Sequence, residues 1–115
     1  MSTTIEQFNK WLKRLEDVNL EFKASTIDLR NDLPDYCAAL TNEGGGKLIL
    51  GVNNERNVVG TTAFSDTYNT LSHKLLQSLK IRIDVEELIH PKGRVLIFHI
   101  PKRPPGKPIR STGNY

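Results

Sequence analysis

Lys102, Arg103, Lys107 and Arg110 fall within a nine-residue stretch that also holds Pro104, Pro105 and Pro108 and directly follows Pro101. Lysine and arginine suit phosphate oxygens, and proline stiffening lowers the entropy lost when such a loop binds. The chemistry this pattern supports is contact with a polyanion such as nucleic acid; the plainer alternative is a solvated basic edge that aids solubility. Arg82 and Lys80 extend the set, Arg94 opens the strand leading into the loop, and Lys23 and Lys47 are further candidate contacts. The net charge is only +3, yet residues 1–57 hold 7 Lys/Arg against 9 Asp/Glu while 58–115 hold 9 against 4. From Lys92 onward there are six basic residues and no acidic one. Such asymmetry points to a polyanionic partner.

Other residue types offer less. Glu16 and Glu21 flank a helix-to-strand turn and could converge on a divalent cation for phosphodiester cleavage, against a solvated Glu21 paired with Lys23. Gly44-Gly45-Gly46-Lys47 superficially resembles a phosphate loop, but the glycines end a helix, a strand follows, and Leu48 stands where a hydroxyl is needed. No two of His73, His90 and His99 have the i, i+4 spacing of a helical zinc site, so all three read as structural. Cys37, the only cysteine, lies on an apolar helix face and reads as a small core residue. It excludes an internal disulfide and a cysteine zinc cluster.

These residues are carried by a regular series of elements. An amphipathic helix over about Thr4–Leu15 sets Ile5, Phe8, Trp11, Leu12 and Leu15 on one face, and Thr4 with Gln7 fits a capping box. Leu20–Ala24 is a short strand. Asn31 or Asp32 caps a second helix with Pro34 in its first turn and Tyr36, Cys37 and Leu40 as its stripe; the glycines from Gly44 end it. The strand opening at Lys47 has an apolar centre without alternation, as expected of a central strand covered on both faces. Asn53–Asn57 is a turn into a partner strand, Val58-Val59-Gly60. A third helix spans roughly Asp66–Lys80 with Tyr68, Leu71, Leu75, Leu76 and Leu79 inward. A strand with Ile81, Ile83, Val85 and Ile89 inward and Arg82, Asp84 and Glu86 outward then turns at His90–Gly93 into Arg94–Ile100. The order α-β-α-β-β-α-β-β predicts an α+β fold, a mixed, mostly antiparallel sheet with about three helices.

A chain of 115 residues and ordinary globular composition (37% hydrophobic, 25% charged) is expected to form one domain over 1–115. Its longest apolar run, Leu48–Val52, is far shorter than the ~20 residues of a membrane span, and charges interrupt the amphipathic start where a signal peptide needs an unbroken stretch. A soluble, cytoplasmic chain is expected, with no membrane partner.

Taken in order, Leu20-Glu21-Phe22-Lys23, Cys37-Ala38-Ala39-Leu40-Thr41-Asn42-Glu43-Gly44-Gly45, Leu48-Ile49-Leu50-Gly51-Val52-Asn53 and Val58-Val59-Gly60 resemble the Schlafen-type AlbA-like domain. The family pattern runs Glu-Phe-Lys, Ala-Phe-Ala-Asn-Thr-x-Gly-Gly, an apolar strand ending Gly-Val-Asp, then an apolar-apolar-Gly hairpin. The resemblance implies a DNA-binding domain at the N-terminus of longer bacterial and archaeal proteins described as transcriptional regulators or ATP-dependent DNA helicase-related proteins. A further Tyr-x-Arg-x-Gly-type strand would begin where this chain stops, at Gly113-Asn114-Tyr115, so an excised N-terminal domain is expected. Without a Walker motif, a helicase or ATPase label on a parent would not describe these residues. Eukaryotic Schlafen relatives include endoribonucleases that cut transfer RNA with three acids and a divalent metal. Two of those acids would fall on Glu16 and Glu21, but the third position is Asn53, and an amide is a poorer ligand for a hard cation and adds no charge.

Three readings follow. The first is a non-enzymatic nucleic-acid-binding module, for DNA or alternatively RNA, using Arg82, Arg94, Lys102, Arg103, Lys107, Arg110, Lys23 and Lys47, without a cofactor. The second is a metal-dependent endoribonuclease using Glu16 and Glu21, the only reading that needs a divalent metal. The third is a dimerisation or sensing module with an incidental basic edge, in which the hairpin strands pair between subunits of a homodimer.

Overall fold

The computed structural model describes residues 2–13, 20–24, 32–65 and 67–106. In chain order the elements are α1 (Ile5–Lys13), β1 (Leu20–Lys23), α2 (Leu33–Asn42), β2 (Gly46–Leu50), α3 (Tyr68–Leu79), β3 (Asp84–His90) and β4 (Gly93–Ile100). The four strands form one sheet in the order β1-β2-β4-β3, with β1 parallel to β2 and the other two pairs antiparallel.

The unbroken apolar run of β2 is explained by its place between β1 and β4, with helices over both faces. Leu48 and Leu50 point with Leu96, Phe98 and Ile100 into the larger core beneath α2 and α3. Ile49 points with Val95 and Ile97 into a smaller core closed by Phe8 of α1. Phe8 is fully buried, and burying such a side chain contributes roughly 1.5–3 kcal/mol. The capping box at the start of α1 forms as expected, with the Gln7 amide donating to Thr4 Oγ1 and the Thr4 amide to Gln7 Oε1, both at 3.0 Å. Arg56 secures the far end of α1, donating from Nη1 to the Leu12 carbonyl at 3.3 Å while its guanidinium carbon stacks 4.6 Å from the Phe22 ring centre.

Some expectations change. The second strand of the 53–57 hairpin is reduced to one bridge, Val52↔Val58. Asn53 Oδ1 accepts the amides of Glu55 and Asn57, and the Val59 and Gly60 amides both return to the Gly51 carbonyl, so a side chain and one carbonyl replace a strand ladder. Ile89 is 64% exposed and Leu76 43% exposed, not inward. Ile89 does share a face with Val85, but α3 is fastened at the other end of β3, where Ser72 Oγ donates to the Ile83 carbonyl. Glu86 is half-buried between His99 and the Thr3 amide, just before α1, instead of facing open solvent. Ile81 and Ile83 are buried as expected, ahead of the strand proper. Cys37 is buried in the larger core, and burial pushes its thiol up to about 12, as expected of an inert packing residue.

Candidate nucleic-acid interface

One end of the sheet collects the start of β2, the start of β3 and the end of β4, because Lys47 pairs with His99 and His99 pairs with Asp84. Two adjoining clefts of about 360 and 370 Å³ open there, the first between Lys47, Arg82, Asp84, His99 and Pro101, the second between Ser72, Arg82, Asp84 and Glu86. Beyond Pro101 the chain enters the proline loop, where Lys102, Arg103, Pro104 and Pro105 face Asn42, Glu43 and Gly44 across a third cleft of about 530 Å³.

The glycine turn and the basic loop, read separately in the sequence, are one assembly. Thr41 Oγ1 donates to the Pro101 carbonyl at 2.5 Å and the Arg103 amide donates to the Thr41 carbonyl at 3.0 Å. A Cβ on Gly45 would lie 2.7 Å from the Ile100 carbonyl oxygen and 2.8 Å from the Lys102 nitrogen, and its φ is +87°. Glycine is required here for close backbone approach and a left-handed turn, not for cradling phosphate. The clamp sets the direction in which Lys102 and Arg103 leave the sheet.

The candidate cations divide into two groups. Lys102 is exposed and Arg103 half-buried, beside the clefts. Arg82 is mostly solvent-exposed and pairs with Asp84 at 3.3 Å, a contact easily exchanged in water. Lys47 lies 4.9 Å from the centre of the Trp11 ring. These four share one end of the molecule. Lys23 is elsewhere, against the Tyr36 ring at 4.8 Å and 3.9 Å from Glu21. Arg94 is turned inward: its guanidinium meets Glu87 at 2.5 Å and donates from Nη1 to the Thr61 and Ala63 carbonyls at 2.9 Å each. Its side chain is only 17% exposed, so it leaves the candidate phosphate contacts and becomes a structural arginine. Lys107 and Arg110 lie outside the described residues.

Sequence reasoning missed His99 and Trp11 at this end. The His99 ring packs edge-on to Trp11 and bonds Glu86 Oε2 at 3.1 Å, while Glu86 Oε1 accepts the Thr3 amide. The alternation of β4 placed His99 on the face of Val95 and Ile97, but only sheet register brings Lys47 beside it. Of the two acids of the cleavage reading, only Glu21 is among the described residues. Glu21 pairs with Lys23, Asn53 holds its own turn, Glu16 lies outside the described residues, and no three His, Cys, Asp or Glu groups cluster to hold a metal.

This α+β sheet, helix-covered on both faces and ending in a clamped basic loop, defines the class. The chain belongs to the Schlafen, AlbA_2 family, whose sequence profile matches residues 16–114. No curated protein matches it. Among solved structures it is similar to the DIP2311 protein of Corynebacterium diphtheriae, with a TM-score of 0.66 and 19% identity over 96% of this chain. The chain spans 24% of that protein's length. It is also similar to the N-terminal domain of a protein described as ATP-dependent DNA helicase RecG-related, from Nitrosomonas europaea, with a TM-score of 0.64, 18% identity, and 96% and 82% of the two chains covered. At these identities the likeness is one of fold. No described helix is long and apolar enough to cross a membrane.

Proposed function

We propose that this chain is a nucleic-acid-binding module whose partner is DNA, held by phosphate contacts at the basic end of the sheet. The observation that carries the reading is the placement of Lys47, Arg82, Lys102 and Arg103 along clefts at one end of the sheet, with the loop direction set by the Gly45 and Thr41 clamp. Family membership and the helicase-related neighbour support it. Mixed charge in the clefts, from Asp84 and Glu43, favours modest affinity with little sequence selectivity, since phosphate contacts position a protein without reading bases. The chain would serve as the DNA-holding part of a longer regulator or helicase-related protein. The ribonuclease reading has no supporting geometry among the described residues.

The test is fluorescence anisotropy with labelled duplex DNA at several salt concentrations. Contacts from these four cations give a slope of log affinity against log salt of about −3 to −4. Arg103→Glu should lower affinity equally for unrelated sequences and make the slope shallower by about 1. Absence of binding at low salt, or a loss confined to one sequence, would overturn the reading.

A further inference from the structure

The sheet has two edges, and the longer is β3, with seven residues against four in β1. His90 and Gly93 face each other across the two-residue Pro91-Lys92 loop, which makes them a hydrogen-bonded pair. Alternation then turns the amide and carbonyl groups of Asp84, Glu86, Leu88 and His90 toward β4, and those of Val85, Glu87 and Ile89 toward the open margin. Apolar surface borders this margin on both sides. Ile89 is 64% exposed on the strand itself. Leu76, 43% exposed, is one helical turn beyond Ser72, the residue that ties α3 to Ile83. On the other face Ile5, 38% exposed, follows two residues after Thr3, whose amide bonds Glu86. Exposed strand edges are ordinarily kept apart by charge. Here each acid of β3 is met within its own protomer: Asp84 by Arg82 at 3.3 Å, Glu86 by His99 at 3.1 Å and Glu87 by Arg94 at 2.5 Å.

We propose that β3 is a homodimerisation edge, pairing antiparallel with β3 of a second copy about a two-fold axis at Glu87 to make one eight-stranded sheet. In this register every residue of β3 finds a partner. Val85 lies opposite the copy's Ile89, which covers the most exposed large hydrophobic among the described residues, and Asp84 lies opposite the copy's His90. Each Glu87 is held by its own Arg94 where the two strands cross the axis. Sliding the copy by two residues in either direction leaves two residues of β3 without a partner in the copy's β3, so full overlap selects this register. The Asp84 end of this edge adjoins the Arg82 cleft, whereas Ile89 lies at the opposite end of the strand.

Sedimentation equilibrium combined with amide hydrogen exchange on the whole chain tests it. The expected result is a monomer–dimer equilibrium in which raising the concentration protects the amides of Val85, Glu87 and Ile89, while those of Asp84, Glu86, Leu88 and His90 are protected throughout. Ile89→Lys should raise the dimer dissociation constant at least ten-fold while leaving the monomer's circular dichroism unchanged. A monomer at all concentrations, or a dimer without this alternating protection, would overturn the proposal whether or not the variant folds. So would protection of the same three amides independent of concentration, which would mean that another segment of the same chain covers the edge.

Discussion

Arg82 and Arg94 stand at opposite ends of the β3–β4 hairpin and do opposite work. Arg82 is 81% exposed, with one solvent-exchanged carboxylate, and lines two clefts. Arg94, 17% exposed, sits behind Glu87 and two backbone carbonyls, tying the 61–63 segment to the sheet. The residue type is the same, and what differs is the number of acceptors brought within reach by chain remote in sequence. A cation surrounded by acceptors becomes a fastening, whereas one left beside a cleft stays available to a phosphate.

Breaking the fastening should have the largest effect on stability. Arg94→Met leaves Glu87, 27% exposed, without its partner and the Thr61 and Ala63 carbonyls without their donor, a loss of roughly 2–3 kcal/mol. Arg82→Met should change stability by less than about 0.5 kcal/mol. Urea denaturation of both variants checks the contrast, and equal losses would erase it. DNA affinity per folded molecule should fall for Arg82→Met and stay unchanged for Arg94→Met.

Gly45→Ala sharpens the comparison at the proposed binding end. The added methyl meets backbone at 2.7–2.9 Å with φ at +87°, so the turn and the loop must separate. A stability loss of about 2 kcal/mol is expected from strain and overpacking. Affinity for DNA should fall as well, because Lys102 and Arg103 lose their fixed direction. Lost stability with unchanged affinity would mean that the clamp does not orient the cations.

The smallest effect is at His90, beside the fastening. The Lys92 amide donates to His90 Nδ1 at 3.1 Å, so Nε2 carries the hydrogen and donates to Asn9 Oδ1 at 2.9 Å. Burial, with a smaller contribution from the Lys92 charge, lowers its pKa below the ordinary 6.5. The unfolded chain therefore takes up the proton first, and stability declines as pH falls below about 6.5 until the folded form also protonates. Thermal melts of the wild type between pH 7.5 and 5 should show this shallow decline, and His90→Asn should flatten it.

Much of the fold was legible because its signals are local. The Thr4–Gln7 box, the glycine stop after Asn42 and the doubly buried β2 all follow from backbone preferences and residue period. Ile89 was misread for a physical reason: alternation assigns a residue to a face, but not whether a helix reaches far enough to cover it. The same holds at the candidate site. Proline and charge in the loop after Pro101 were visible, but the clamp between Gly45 and Pro101 joins positions separated by 55 residues or more.

The sequence by itself determined the elements, their order and the accumulation of positive charge in the second half, because hydrophobic period, capping and net charge are properties of short stretches of chain. Only the tertiary structure decided which cations stay available. Arg94 is removed by carbonyls 31 and 33 residues away, while Lys47 and Arg82 are brought together by the register of β2, β4 and β3. Availability of a charge depends on the acceptors packed around it, and those are set by which distant segments the core draws together.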